Sequence, residues 1–243
     1  MTHSQDKIYA RPHSTIDKFK FDNNVAGVFD DMIRRSIPNY EQIIASIGDI
    51  AAQTVQKNTN VYDLGCSLGT ATISMRRKIS TDNVKIIAVD NSESMIKRCS
   101  EHISAYRSDI PVELVCADIN NINIENASVV VLNFTLQFLE PAARKQLITK
   151  IYNGLVGGGV LILSEKLQFS NTKIQHLLDE LHLDFKRANG YSELEISQKR
   201  SALEDVMRTE TAESHISRLN ECGFQQASIW FQCFNFASMV AIK

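Results

Sequence analysis

"VYDLGCSLGTATISMRR", residues 61–77, decides the fold. It begins as an apolar run, turns through Gly65 and Gly69, and goes on with helical spacing, so it reads as strand, glycine turn and helix. The same unit repeats downstream. Strands are predicted over "VKIIAVDN" (84–91), "PVELVCADI" (111–119), "ASVVVLNFTLQFL" (127–139) and "GGGVLILSEK" (157–166), with helices over 92–106 and 141–155 between them. Strands that are apolar on both faces and alternate with helices predict a parallel sheet covered on both sides.

Upstream, Val25, Val28, Phe29, Met32 and Ile33 share a helical face, Pro38 ends that helix, and residues 40–55 carry the next. Downstream, residues 170 to about 210 are helical in pattern, with Ile174, Leu177, Leu178, Leu181 and Phe185 on one stripe. A helix over 211–224 and two closing strands follow; a hairpin between those strands makes one of them antiparallel to the rest. Trp230, Phe231, Phe234 and Phe236 in this hairpin are expected to be sheet core. The fold class is therefore α/β: a Rossmann-like, seven-stranded, mostly parallel sheet with one antiparallel strand and helices on both faces. It forms a single domain over 1–243, with an N-terminal helical arm over about 1–57, irregular in its first ~20 residues, and a helical insertion over about 168–210.

Composition narrows the function classes. Hydrophobic content of 44% and charged content of 22% are those of a globular protein with a sizeable core. A net charge of −2 gives no overall footprint for direct nucleic-acid binding. Five dispersed cysteines without a CxxC pair point to a reducing, cytoplasmic setting, and the histidines do not cluster with them, so no metal is expected. The polar N-terminus lacks a signal peptide's apolar stretch, and no run is long enough to span a membrane.

In an open parallel sheet, ligands sit beyond the carboxyl ends of the strands. Those ends carry Asp63 with Gly65-Cys66-Ser67-Leu68-Gly69, then Asp90-Asn91, Asp118-Ile119 and Asn133. Asp90 lies where an acid accepts from ribose hydroxyls, and Asp118 can meet an adenine amino group while Ile119 packs on the ring. A lone strand-end aspartate is more simply a helix N-cap, but three in order after a glycine turn favour a nucleoside site. A dinucleotide loop needs glycines where Ser67 and Thr70 stand. An S-adenosylmethionine loop, acid-x-Gly-x-Gly-x-Gly, is matched by Asp63, Gly65 and Gly69, with Ser67 in the middle position. That ligand carries an ammonium and a sulfonium rather than phosphate, and so tolerates the carboxylates.

"SELEISQKRSALEDVMRTE" (192–210) opens with capping-box spacing, Ser192 to Glu195, and aligns Ile196, Leu203 and Met207 on a stripe that also carries Arg200. On spacing alone Arg200 reads as a surface residue whose stem covers apolar neighbours.

Taken with "AVDNSESMI", "NFTLQFL", "GYSELEISQKR" and "WFQCFNF", the chain resembles the carboxy-S-adenosyl-L-methionine synthase family, a branch of the class I methyltransferases, over nearly its whole length. The resemblance implies that S-adenosylmethionine is a substrate rather than a methyl donor. It implies prephenate as carboxyl source, and a product, carboxy-S-adenosylmethionine, that feeds wobble-uridine modification of tRNA. Ligand contacts carry over to Tyr40, Gly65, Cys66, Ser67, Asp90, Asn91, Asp118, Ile119, Asn133 and Arg200. It also implies a homodimer in which the arginine reaches the neighbouring subunit's site. Cys66 has no base near it in sequence, so no nucleophile is expected, and no catalytic base is assigned. An ordinary methyltransferase and a non-catalytic binding subunit are the alternatives; "NFTLQF" in place of Asn-Pro-Pro-Tyr and the intact strand-end acids weigh against them.

Overall fold

The computed structural model describes residues 5–243. An irregular segment to residue 22 leads into α1 (Asn23–Ser36), capped by Asp22, whose side chain accepts from the Val25 N–H. After Pro38, Asn39 takes a left-handed φ of 57° and starts α2 (Tyr40–Thr54). The alternating core follows: β1 (Asn60–Leu64), α3 (Thr70–Lys78), β2 (Lys85–Asp90), α4 (Glu93–Ser104), β3 (Val112–Cys116), β4 (Ala127–Asn133), α5 (Pro141–Gly154) and β5 (Leu155–Lys166). Two helices, α6 (Thr172–Ala188) and α7 (Glu193–Leu203), interrupt it before α8 (Ala212–Glu221), β6 (Gln226–Cys233) and β7 (Phe236–Ile242).

The sheet order is β3-β2-β1-β4-β5-β7-β6. β1 pairs in parallel with both β2 and β4, and the chain reverses its direction of winding between them. That reversal opens a crevice beside β1, the place where this architecture binds ligands. β7 is antiparallel to β5 and to β6, and is the reversed strand. Along β4 the two-residue alternation assigns each side chain to a face. Val130 and Leu132 pack with Leu147 and Ile148 of α5 and Leu219 of α8. Val129 and Val131 pack with Ile43 and Ile47 of α2 and Met75 of α3. All four β4 side chains are fully buried, so truncating any one to alanine leaves a cavity rather than a wetted surface.

Two expectations are corrected, and the burial of a third element, left open by its pattern, is settled. β4 ends at Asn133 rather than running on to 139, because Phe134 takes a left-handed φ of 59° and a 3-10 turn follows at Leu136–Phe138. Of the closing aromatics only Phe236 is buried; β6 is the outermost strand, so Trp230, Phe231 and Phe234 are only half covered. The apolar stripe of α6 faces outward, with Ile174, Leu177 and Leu181 exposed at 44%, 54% and 36%. Among the described residues, no helix is long and apolar enough to cross a membrane.

The capping box at Ser192 and Glu195 is present, and α7 buries Glu195, Ile196, Gln198, Lys199 and Ala202. The N-terminal segment holds this face down. Gln198 Nε2 donates to the carbonyls of Tyr9 and Arg11, and the Phe19 N–H donates to the Ala202 carbonyl.

Candidate active site at the strand ends

The glycine turn after β1 is shaped by its own backbone. Gly65 and Cys66 both donate to the Val89 carbonyl, at 2.8 and 2.9 Å, which draws the turn across the end of β2. Gly65 has φ 82°, and a Cβ there would lie 2.4 Å from Thr135 Oγ1, so only glycine fits. Ser67 stands in the middle glycine's place and still takes a left-handed φ of 51°. Its N–H donates to Asp90 Oδ2 at 2.9 Å, and its hydroxyl turns to Met95 Sδ.

Asp90 therefore does two jobs. One oxygen holds Ser67 and the other accepts from the Ser92 N–H, while the carboxylate lines the cavity. Burial raises its pKa, and those N–H donors oppose the rise. Asp118 likewise caps a 3-10 turn through the Asn120 N–H and lines the same cavity, so the capping and ligand readings coexist in one side chain. Asp63, deeper, accepts from Thr72 Oγ1 at 2.6 Å, and burial pushes its pKa up to about 6. Among the described residues, Asn133 Oδ1 is buried with no hydrogen-bond partner, an acceptor at the cavity wall that a ligand N–H or ammonium would satisfy.

These groups surround one cavity of about 560 Å³, a size suited to small molecules. Nine of the ten sequence-assigned residues line it: Tyr40, Gly65, Cys66, Ser67, Asp90, Asn91, Asp118, Ile119 and Asn133. The tenth, Arg200, is exposed on α7 and does not line it. Two lining groups, Cys66 and Tyr40, are held in their protonated forms. The Cys66 thiol is pushed well up by its contact with Cys99 and by burial, and burial raises the Tyr40 phenol. Among the described residues, no group of three or more His, Cys, Asp or Glu side chains could hold a metal ion.

Several lining residues were not foreseen. Phe19 and Phe21 come from the N-terminal segment, where Phe21 packs edge-on against Phe138 at 5.3 Å. Ser92 Oγ ties that segment down by donating to the Phe21 carbonyl. His182 sits on α6 with Nε2 donating to the Ser36 carbonyl at 2.8 Å; burial, then Lys186 and Lys166, lower its pKa to about 3, so the ring is neutral. Lys166, Lys186 and Lys199 also reach the cavity. Strand-end logic could have found Lys166, the last residue of β5. Lys199 carried no signal, because the arm that buries its helix face shows no periodicity.

Comparison with known proteins bears on this geometry. The family described as "Methyltransferase domain" matches residues 61–159, from within β1 to the start of β5. A carboxy-S-adenosyl-L-methionine synthase from Shewanella piezotolerans is 63% identical over 243 residues, covering all of both chains. The protein of that name from Shewanella putrefaciens is 64% identical over the same span. Among solved structures, a putative S-adenosylmethionine-dependent methyltransferase from Methanococcus maripaludis aligns with a TM-score of 0.62 at 21% identity, over 95% of this chain and 97% of that one. Human N-acetylserotonin methyltransferase in complex with S-adenosylmethionine aligns at 0.61 and 14% identity, over 91% of this chain and 55% of that one. At those identities the structural likeness concerns the fold.

Proposed function

The chain belongs to the carboxy-S-adenosyl-L-methionine synthase family, and from that premise we propose that it takes prephenate as the carboxyl source for S-adenosylmethionine and releases phenylpyruvate. The product would supply wobble-uridine modification of tRNA. The observation that carries the reading is the gathering of nine ligand-contact positions around one cavity, in a chain similar along its full length to enzymes of that name.

The site suits the nucleoside in its details. In this reading Asp90 and Asp118 serve the ribose and the adenine amino group, Ile119 the ring, and Asp63 and the Asn133 oxygen the cationic end; all of them line the cavity. The chemistry then needs little from protein acids and bases. Prephenate, a dianion, loses carbon dioxide and its ring hydroxide to become aromatic phenylpyruvate. The hydroxide takes a proton from the methyl group, which is acidic beside positive sulfur, and leaves as water. The resulting ylide carbon bonds to the carbon dioxide. Such a course depends on positioning and on excluding water, the task to which the Phe19, Phe21 and Phe138 wall is suited.

A second copy of the chain completes this reading. The outward apolar stripe of α6 and exposed Leu194 and Arg200 of α7 present a surface for another protomer, with Arg200 offered as a carboxylate clamp to the neighbour's cavity. A guanidinium binds a carboxylate bidentately and stays charged. The direct test incubates purified protein with S-adenosylmethionine and prephenate and weighs the products. A nucleoside heavier by one carboxyl group is expected; unreacted substrates alone, or a methylated acceptor, would overturn the reading.

A further inference from the structure

Opposite the strand-end acids, the cavity wall is cationic, and the acids do not account for it. Lys166 closes β5, Lys186 lies one turn after His182 on α6, and Lys199 comes from α7; three separate elements send an ammonium side chain to one space. Lys199 is anchored, with Nζ 3.0 Å from Ser36 Oγ, 3.4 Å from Tyr191 Oη and 3.7 Å from Asp6 Oδ2. Lys166 and Lys186 differ from it. Among the described residues, neither ammonium has a hydrogen bond or an ion pair. The carboxylate whose field reaches Lys166 is Asp179, which already accepts from Gln175 and Asn235.

The groups facing these lysines add to the positive excess. Arg200 acts on both Lys166 and Lys186, and His182 between them is neutral. Burial, then Lys199, Lys166 and Arg200, lower the Lys186 pKa to about 7. Uncompensated ammonium groups drawn out of water are costly and are kept where something pairs them. S-adenosylmethionine brings a sulfonium and an ammonium together with its single carboxylate, a net charge of about +1, so it supplies no net negative charge to compensate these ammonium groups. The wall therefore belongs to the second substrate, and the inference rests on the carboxyl-donor reading above.

We propose that Lys166 and Lys186, with Lys199 anchored behind them, hold the 2-oxo acid arm of the carboxyl donor. That arm keeps its carboxylate through the reaction and offers a keto oxygen beside it, acceptors for two ammonium groups. The departing carboxylate is a poorer candidate. A cation held tightly on it would stabilise the ground state more than the transition state in which its charge disperses. Phenylpyruvate retains the same arm, so the subsite also binds the product.

Lys166→Gln, Lys186→Gln and Lys186→Arg, made in the full chain, test this. Expected for both glutamine variants is a prephenate KM raised about tenfold or more, the loss that follows from removing a charged hydrogen bond. Phenylpyruvate affinity by calorimetry should fall in parallel, S-adenosylmethionine affinity should stay within about twofold, and Lys186→Arg should recover most of the loss. Neither glutamine variant should melt below the unsubstituted protein, because each removes an unpaired cation. An unchanged prephenate KM, or an equal loss for nucleoside and donor, overturns the subsite while leaving the synthase reading intact. If the unsubstituted protein fails to turn over prephenate, the synthase reading fails separately. Phenylpyruvate titration then decides the subsite: binding lost in Lys186→Gln upholds it, and no binding to the unsubstituted protein overturns it.

Discussion

Lys199 and Arg200 are chain neighbours with different surroundings. Lys199 is 5% exposed and reaches the cavity, whereas Arg200 is exposed and does not line it. The spacing of Ile196, Leu203 and Met207 picks out Arg200's face, yet the buried face is turned one residue back, through Glu195, Lys199 and Ala202. The cause lies almost two hundred residues away, where Tyr9, Arg11 and Phe19 dock on α7 through backbone groups that leave no trace in side-chain pattern. The strand-end residues were legible because a strand end, a glycine turn and an acid are set by local sequence. Replacing Arg200 with Ala should weaken the carboxylated nucleoside by ~1.5–3 kcal/mol, with less effect on S-adenosylmethionine itself. Calorimetry showing equal loss for both ligands would count against a carboxylate-specific role. Glu165 supports a prediction of another kind. It is 1% exposed, accepts from the Leu136 N–H, and burial pushes its pKa up from 4.5 to about 8 despite nearby Arg144. Because the folded pKa lies above the unfolded one, this group's contribution is fully present below about 4.5 and is lost as pH rises through about 8. Glu165→Gln should therefore gain stability relative to the unsubstituted protein as pH is raised from 5 to 8, read as a widening gap in urea midpoints. Parallel midpoints across that range would show that Glu165 does not titrate there.

At the scale of elements, the alternating half of the chain was readable because buried parallel strands must be apolar on both faces and must end at turns. The departures have local physical causes. β4 stops early because Phe134 leaves extended backbone, and β6 lacks a partner on its outer side. In α6 the helical period of Ile174, Leu177 and Leu181 is real, but a period says only that a face is apolar and not what covers it. In the proposed homodimer a second copy covers it. Leu177 is 54% exposed in the single chain, so Leu177→Asp should change the stability of the isolated fold by no more than about 0.5 kcal/mol. The same change should shift the mass seen by light scattering from two chains to one. An unchanged dimer mass would place the interface elsewhere, and a monomeric parent protein would remove the need for one.

For the whole molecule, the sheet places acids at the ends of β1 and β2 and after β3, while β5, α6 and α7 bring ammonium groups to the other side of one cavity. A site of opposite signs across a small space suits two substrates of opposite charge better than a nucleoside and a neutral methyl acceptor. The most direct test follows the atoms. Prephenate carrying ¹³C in its ring carboxyl group is supplied with S-adenosylmethionine bearing a CD₃ methyl group, and the product nucleoside is analysed by mass spectrometry. The account predicts that the nucleoside gains the ¹³C carboxyl and loses one deuterium. A product with an unlabelled carboxyl group, or one that keeps all three deuterons, would contradict it.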